Sequence, residues 1–177
     1  MAFFALRVVR AALLDRAVYE EVEADRAATI QAVAVVLLSS LAAGLGSAGI
    51  RGPNLATQAA ITGVAFVTWI AWAILVLQIG TRWMPEPATR SDAGELLRTL
   101  GFAAAPGTLQ IFAVFPAIST AVFVVSWAWM FAAMVIAIRQ ALDYRATAHA
   151  LGVTAVGFLV VLAAAVALGM AFVSPVS

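Results

Sequence analysis

The residues of this chain that are able to take part in chemistry gather where long apolar stretches end. Arg98 stands beside Glu95 at the start of one such stretch, and a polar run from Arg139 to Arg145 follows another. Arginine recognises phosphate through two parallel hydrogen bonds, so this group is suited to a phospholipid headgroup or to a partner protein. The candidate contact residues are Arg98, Arg139, Gln140, Asp143, Tyr144 and Arg145.

The same group also has a purely structural interpretation. Arg and Tyr are common wherever membrane helices leave the bilayer, and Arg139 and Asp143 have the i, i+4 spacing of a helical ion pair. Under this interpretation, which the sequence favours, the side chains anchor helix ends and fix topology without binding a ligand.

Residues for catalysis or for metal binding are scarce. The chain has no Cys and a single His, His149, which removes thiolate chemistry and disfavours a histidine metal site. The glycines between Gly44 and Gly49 end an apolar stretch instead of following a strand, so they form no dinucleotide fingerprint. We predict a protein that is not an enzyme and needs no cofactor or metal, and the net charge of +1 favours no nucleic-acid partner.

The composition predicts that lipid is the solvent. Apolar residues make up 64% of the 177 residues and charged residues 11%, against roughly 45–50% and 25% in soluble domains. A soluble globule of this length could not hide so much apolar surface. We therefore expect an all-α integral membrane protein, built as a five-helix transmembrane bundle.

Five stretches are apolar and long enough for a helix of about 20 residues, the length that crosses a bilayer. We place an N-terminal segment at residues 1–26 and the membrane domain at residues 27–177. Asp25 is the expected N-cap of the first span, and Asp92 with Glu95 has the spacing of a capping box before the third. Pro106 should kink the third span. The expected spans are residues 27–46, 59–79, 96–115, 117–138 and 148–173.

The arginines predict the orientation. If the loops alternate between the two sides, nine of the ten arginines lie on one side and Arg51 alone on the other. Basic loops stay in the cytoplasm, so the N-terminus is expected inside and the C-terminus outside. We expect the location to be the bacterial cytoplasmic (inner) membrane.

The N-terminal segment from Met1 to Val22 is expected to be a short helix lying in the membrane interface. Apolar side chains from Phe3 to Leu14 would enter the lipid, while Arg7, Arg10 and Arg16 would meet lipid phosphates. The alternative is a leader whose arginines only fix the topology.

Two stretches resemble the Ypt-interacting (Yip) family of five-span membrane proteins. The first is Leu96–Gly107, with a Gly and a Pro inside a span, and the second is Ile136–Arg145, where a span ends. The resemblance is to the bacterial branch and implies a fold, a span count and an orientation, without an established activity. Eukaryotic members bind lipidated small GTPases, but this chain lacks their long N-terminal region and their Asp-Leu-Tyr-Gly-Pro signature.

Two hypotheses of function follow. The first is a non-catalytic membrane protein that binds another membrane protein or complex, and helps to assemble or stabilise it as an accessory subunit, with membrane lipids as further partners. The second is a transporter or scramblase-like protein that moves lipid or a small neutral solute. Transport would need a groove lined by polar side chains inside the spans, namely Gln78, Thr108, Gln110 and Ser126.

Overall fold

The computed structural model describes residues 2–87, 89 and 91–172, and every regular element within them is a helix. This confirms the predicted all-α class. Two further segments are helical but not α: a π turn at Ile79–Trp83 and a 3₁₀ segment at Ala105–Val114. The α-helices are α1 (Ala2–Ala12), α2 (Arg16–Ala24), α3 (Ala28–Gly46), α4 (Ala48–Arg51), α5 (Leu55–Gln78), α6 (Ala93–Ala103), α7 (Ser119–Ala141) and α8 (Thr147–Phe172).

Three of the helical stretches are long and apolar enough to cross a membrane. They are Ala28–Arg51, Leu55–Trp83 and Ser119–Ala141, and Thr147–Val161 within α8 is a shorter apolar helix. Large apolar side chains on their outer faces, such as Val64 and Val124, are more than 60% exposed. Such surfaces are stable in lipid and costly in water. The predicted end of the fifth span at residue 173 and the tail beyond it lie outside the described residues.

The third predicted span, residues 96–115, is not one continuous α-helix. α6 ends at Ala103, and the 3₁₀ segment begins at Ala105 with Pro106 in its first turn. Proline has no N–H and its ring clashes with the preceding turn of an α-helix, so the chain tightens to i→i+3 bonds such as Gly107 N to Ala104 O, at 2.9 Å. At a rise of about 2.0 Å per residue, the ten residues extend about 20 Å.

This broken third segment forms the centre of the bundle. Every residue from Arg98 to Gly107 is buried, and α3 and α7 pack along both of its parts. Close approach depends on glycines: a Cβ at Gly101 would lie 2.7 Å from the Cβ of Ala32, and one at Gly107 would collide with Ser39. α3 and the third segment therefore run parallel to one another with their backbones nearly touching.

The N-terminal segment differs from the single interfacial helix that was predicted. It forms a hairpin of α1 and α2, which reverses at Leu14 with φ of 63°. Arg7 is 4% exposed and donates to Glu21 at 2.8 Å and to Asp25 at 2.9 Å. Arg10 donates to Asp15 and Glu21. The guanidinium groups of Arg7 and Arg10 thus face carboxylates of the hairpin and not the lipid phosphates expected for them. The same expectation for Arg16 stays a prediction.

The outer face of α1 nevertheless keeps its apolar character. Its exposed side chains form one stripe at helical spacing: Phe3, Leu6, Val9 and, just beyond the helix, Leu13. The opposite face and α2 pack on the bundle. Tyr19 donates to the carbonyl of Ala11 at 3.0 Å, and Trp129 of α7 donates to the carbonyl of Ala12 at 2.7 Å. The hairpin is thus part of the folded body.

The observed caps confirm one of the predicted helix starts and correct two others. Asp92 and Glu95 form the expected capping box of α6, with bonds of 2.8 and 3.0 Å. Asp25 accepts from the backbone N–H of Ala27 at 2.9 Å, but it is the C-cap of α2, and Ala27 is the N-cap of α3. The prediction that Asp25 caps the first span is therefore wrong. Asn54 caps α5, so this helix begins at Leu55 and not at residue 59 as predicted.

Candidate functional site

One end of the bundle collects most of the polar residues. α3, α6 and α8 begin there, α5 and α7 end there, and α2 covers part of it; we call it the basic end. Contacts between distant residues hold these helix ends together. Tyr144 donates its hydroxyl towards the carbonyls of Gly80 and Met84, at 3.1 and 2.7 Å.

An open depression of about 340 Å³ lies on the basic end, where α2 meets the end of α7 and the turn into α8. Five of the six residues predicted as candidate contacts line it; Arg98 does not. Two residues of α2 complete the wall: Arg16, which the sequence analysis assigned to the N-terminal lipid contact, and Glu20, which it did not single out. The lining residues are Arg16, Glu20, Arg139, Gln140, Asp143, Tyr144 and Arg145.

Arg139 and Gln140 sit in the last turn of α7 and are held in different ways. The guanidinium of Arg139 donates to the carbonyls of Tyr144 and Arg145 over 3.4 and 3.3 Å, which are long bonds. Gln140 donates from Nε2 to a carboxylate oxygen of Glu20 at 2.7 Å. That bond ties α2 to α7 and fixes one wall of the depression.

The ion pair expected between Arg139 and Asp143 does not form. α7 ends at Ala141, and Asp143 adopts φ of 52° in the turn that follows. The i, i+4 geometry of a helix no longer holds there, so the spacing does not produce the ion pair. Asp143 is exposed.

Tyr144 is the anchor of this turn. Its side chain is 4% exposed, and burial together with the nearby charge of Glu86 raises the pKa of Tyr144 to about 12. The carbonyls at the end of a helix lack intrahelical donors, and the phenol supplies one at the π turn. The turn that carries Asp143 and Arg145 is therefore fixed to the end of α5.

Arg98 has a structural contact instead of a place in the depression. It is 7% exposed, and its Nε donates to the carbonyl of Val22 at 3.0 Å, with further bonds to the carbonyl of Glu23. These carbonyls belong to the last turn of α2, where a positive charge is favoured by the helix dipole. Arg98 thus caps α2 and fastens it to α6.

Two acidic residues of the basic end were missed by sequence reasoning. Glu86 accepts from the backbone N–H of Arg145 at 3.0 Å and lies 2.9 Å from Nδ1 of His149. Glu23 is half-buried, and burial raises its pKa to about 7, helped by the carboxylates of Asp143, Glu95 and Glu20 and opposed by Arg98. Apart from Glu20, these neighbours lie far away in the sequence, so spacing gave little signal.

Among residues 2–87, 89 and 91–172, no group of three or more His, Cys, Asp or Glu side chains is arranged to hold a metal ion. Comparison of the chain with protein-family models, with curated proteins and with solved structures gives no match. The resemblance to the Yip family therefore stays a prediction.

Proposed function

We propose that this protein crosses the bacterial cytoplasmic membrane five times, with its N-terminus inside, and that it binds and stabilises another membrane protein without catalysing a reaction. The meeting of five helix ends at one basic end supports an alternating path through the bilayer. The basic end would face the cytoplasm, since positively charged loops stay there.

The observation that carries the partner-binding proposal is the outer face of α5. Small residues occupy it at helical spacing, and all of them are exposed: Ala56, Ala59, Ala60 and Gly63. In lipid, where apolar side chains gain little from leaving the solvent, helices associate through such faces because small residues let backbones approach closely.

Gly63 differs from the glycines inside the bundle. A Cβ at Gly44, Gly46 or Gly49 would collide with a neighbouring helix or with the third segment, whereas a Cβ at Gly63 would meet nothing within 4 Å. The interior glycines are thus explained by contacts within this chain. Gly63 on α5 would allow the same close approach of a helix, but no helix among the described residues of this chain packs against it. A transmembrane helix of another protein would fit there.

The test is Gly63→Ile in the full-length protein, extracted from native membranes in a mild detergent. Because the position is open within this chain, the variant should fold normally, as judged by helical content and thermal unfolding. The branched side chain would hold a partner helix away from α5, so a membrane protein that co-purifies in fixed ratio with the wild type should be lost or reduced about tenfold.

Ala128→Ile supplies the matched control. Ala128 is exposed on α7, so the change places the same isoleucine side chain on another outward face. Co-purification that survives Gly63→Ile, or that both variants reduce equally, would contradict binding through α5.

The transport hypothesis has less support from the geometry. Thr108 donates to its own segment at Ala105 O, and Gln110 donates to the sulfur of Met130. Ser126 lies beside a depression of about 260 Å³ whose other lining residues are all apolar. Thr108, Gln110 and Ser126 therefore do not line one common groove, and transport stays a prediction. A flux of lipid or of a small neutral solute in proteoliposomes, above that of empty vesicles, would revive it.

A further inference from the structure

Three guanidinium groups from separate parts of the chain border the depression on the basic end. Arg16 comes from the first turn of α2, Arg139 from the last turn of α7, and Arg145 from the turn that leads into α8. Arg16 and Arg145 are exposed and Arg139 is partly exposed. The fold therefore places three positive charges around one depression, where an anion would reduce their mutual repulsion.

The carboxylates of the described residues leave these three arginines without an ion pair. In the N-terminal hairpin, Arg7 and Arg10 have carboxylate oxygens at 2.8–3.0 Å. Within the part of the chain that the structure describes, no carboxylate lies within 4.0 Å of a guanidinium nitrogen of Arg16, Arg139 or Arg145. The two acids of the depression, Glu20 and Asp143, leave it with a net charge of +1 from three arginines and two carboxylates.

The position of the acids keeps the depression open to an anion. Glu20 is engaged by the amide of Gln140 at 2.7 Å. Arg139 makes only its two long bonds to main-chain carbonyls, which orient its planar group and leave most of its five N–H donors unused. Tyr144 fixes the turn from below through the carbonyls of Gly80 and Met84. The walls are thus built before any ligand arrives.

We propose that this depression binds a phosphate-ester anion, and that its source is the headgroup of an anionic phospholipid. Guanidinium groups match phosphate oxygens with paired, charge-assisted hydrogen bonds. Lipid is the fitting source because the elements that carry the depression also carry exposed apolar side chains. Leu151, six residues after Arg145, is 48% exposed, and Trp83, next to the residue whose carbonyl Tyr144 binds, is 66% exposed. A phospholipid can place its headgroup between the arginines while its acyl chains stay in the bilayer, which a soluble phosphate ester cannot do.

The test is native mass spectrometry of the full-length protein in a mild detergent, with phosphatidylglycerol or phosphatidylcholine added. The wild type should retain phosphatidylglycerol about tenfold more tightly than phosphatidylcholine. The double variant Arg139→Gln with Arg145→Gln should lose that preference, while its retention of phosphatidylcholine should stay unchanged. Arg16→Gln changes an exposed position on another element, so it should fold even if the double variant folds poorly. It should also weaken the retention of phosphatidylglycerol.

The matched control removes the same charge elsewhere on the same end. Arg26 and Arg82 are both exposed and lie outside the depression, so Arg26→Gln with Arg82→Gln should keep the lipid preference. An equal loss in both double variants would mean general attraction to surface charge and would overturn the site, as would unchanged retention in Arg16→Gln. Full displacement of phosphatidylglycerol by equimolar sn-glycerol 3-phosphate would overturn the lipid source and assign the site to a soluble phosphate ester. The α5 variant Gly63→Ile should leave lipid retention intact, so the two proposals succeed or fail separately.

Discussion

At the scale of single residues, the arginines divide into groups according to what faces them. Arg7 and Arg10 meet carboxylates, and Arg98 meets the carbonyls at the end of a helix. The arginines of the depression form no ion pair with a carboxylate of the described residues. A guanidinium has the same charge in each place. Its role is set by the acceptors that the fold brings to it, and these acceptors are rarely its neighbours in the sequence.

The raised pKa of Glu23 predicts that the stability of the folded protein depends on pH. Its pKa in the folded protein is raised to about 7 from an ordinary value of 4.5, so folding favours the protonated form. Protonated Glu23 therefore contributes its full stabilisation of the folded state below pH 4.5, and this contribution is lost as the pH rises through 7. After allowance for solvent screening of this half-exposed group, the loss should be on the order of 1–2 kcal/mol.

The measurement is the free energy of unfolding in detergent between pH 4.5 and 7, for the wild type and for Glu23→Gln. The wild type should lose stability with rising pH, and the variant should lose less. Asp15, Asp25 and Asp92 have lowered pKa values and act in the opposite direction, but only below their ordinary value of 3.8. The same slope in both proteins would contradict the role of Glu23.

At the scale of the elements, the third segment organises the bundle because its small residues let neighbouring helices pack close to its backbone. Pro106 breaks the α-helix, and Gly101 and Gly107 let α3 and α7 approach its backbone. The polar groups of this segment are satisfied close by, as when Thr99 donates to the carbonyl of Glu95 at 3.0 Å. A buried segment of this kind tolerates added volume badly.

Gly107→Val tests this packing. A valine there would collide with Ser39 and with the sulfur of Met130, so we expect a loss of about 2–3 kcal/mol or more in the free energy of unfolding. Gly63→Val makes the same substitution where a Cβ meets nothing within 4 Å, and it should change stability by less than about 0.5 kcal/mol. Equal effects of the two variants in a denaturant titration would show that the third segment is not the tightly packed centre.

Hydropathy and helix signals predicted the long apolar elements well and their mutual arrangement poorly. The stretches of α3, α5 and α7 were visible because each is a long apolar run, and the capping box of α6 is a local pattern. The hairpin was missed because the partners of Arg7 are 14 and 18 residues away. The depression was half predicted: the run from Arg139 to Arg145 is contiguous, whereas Glu20 bonds to Gln140 across 120 residues.

At the scale of the whole molecule, the bundle is packed inside and apolar outside, with most of its charged residues at one end. The chain has no cysteine, so single-cysteine variants give a clean test of the proposed topology. Pro53 and Ala146 are exposed at opposite ends of the bundle. A membrane-impermeant thiol reagent should label Pro53→Cys in intact spheroplasts, and Ala146→Cys only after the membrane is opened. Labelling of Ala146→Cys from outside would reverse the orientation.

The most direct test of partner binding is a photo-crosslinking amino acid at Ala60, on the small-residue face of α5, in native membranes. We expect one adduct with a different membrane protein, which disappears when Gly63→Ile is added and is absent when the same crosslinker stands at Ala128. Adducts with lipid alone, an adduct with a second copy of this 18.4 kDa chain, or identical adducts from both positions would contradict it.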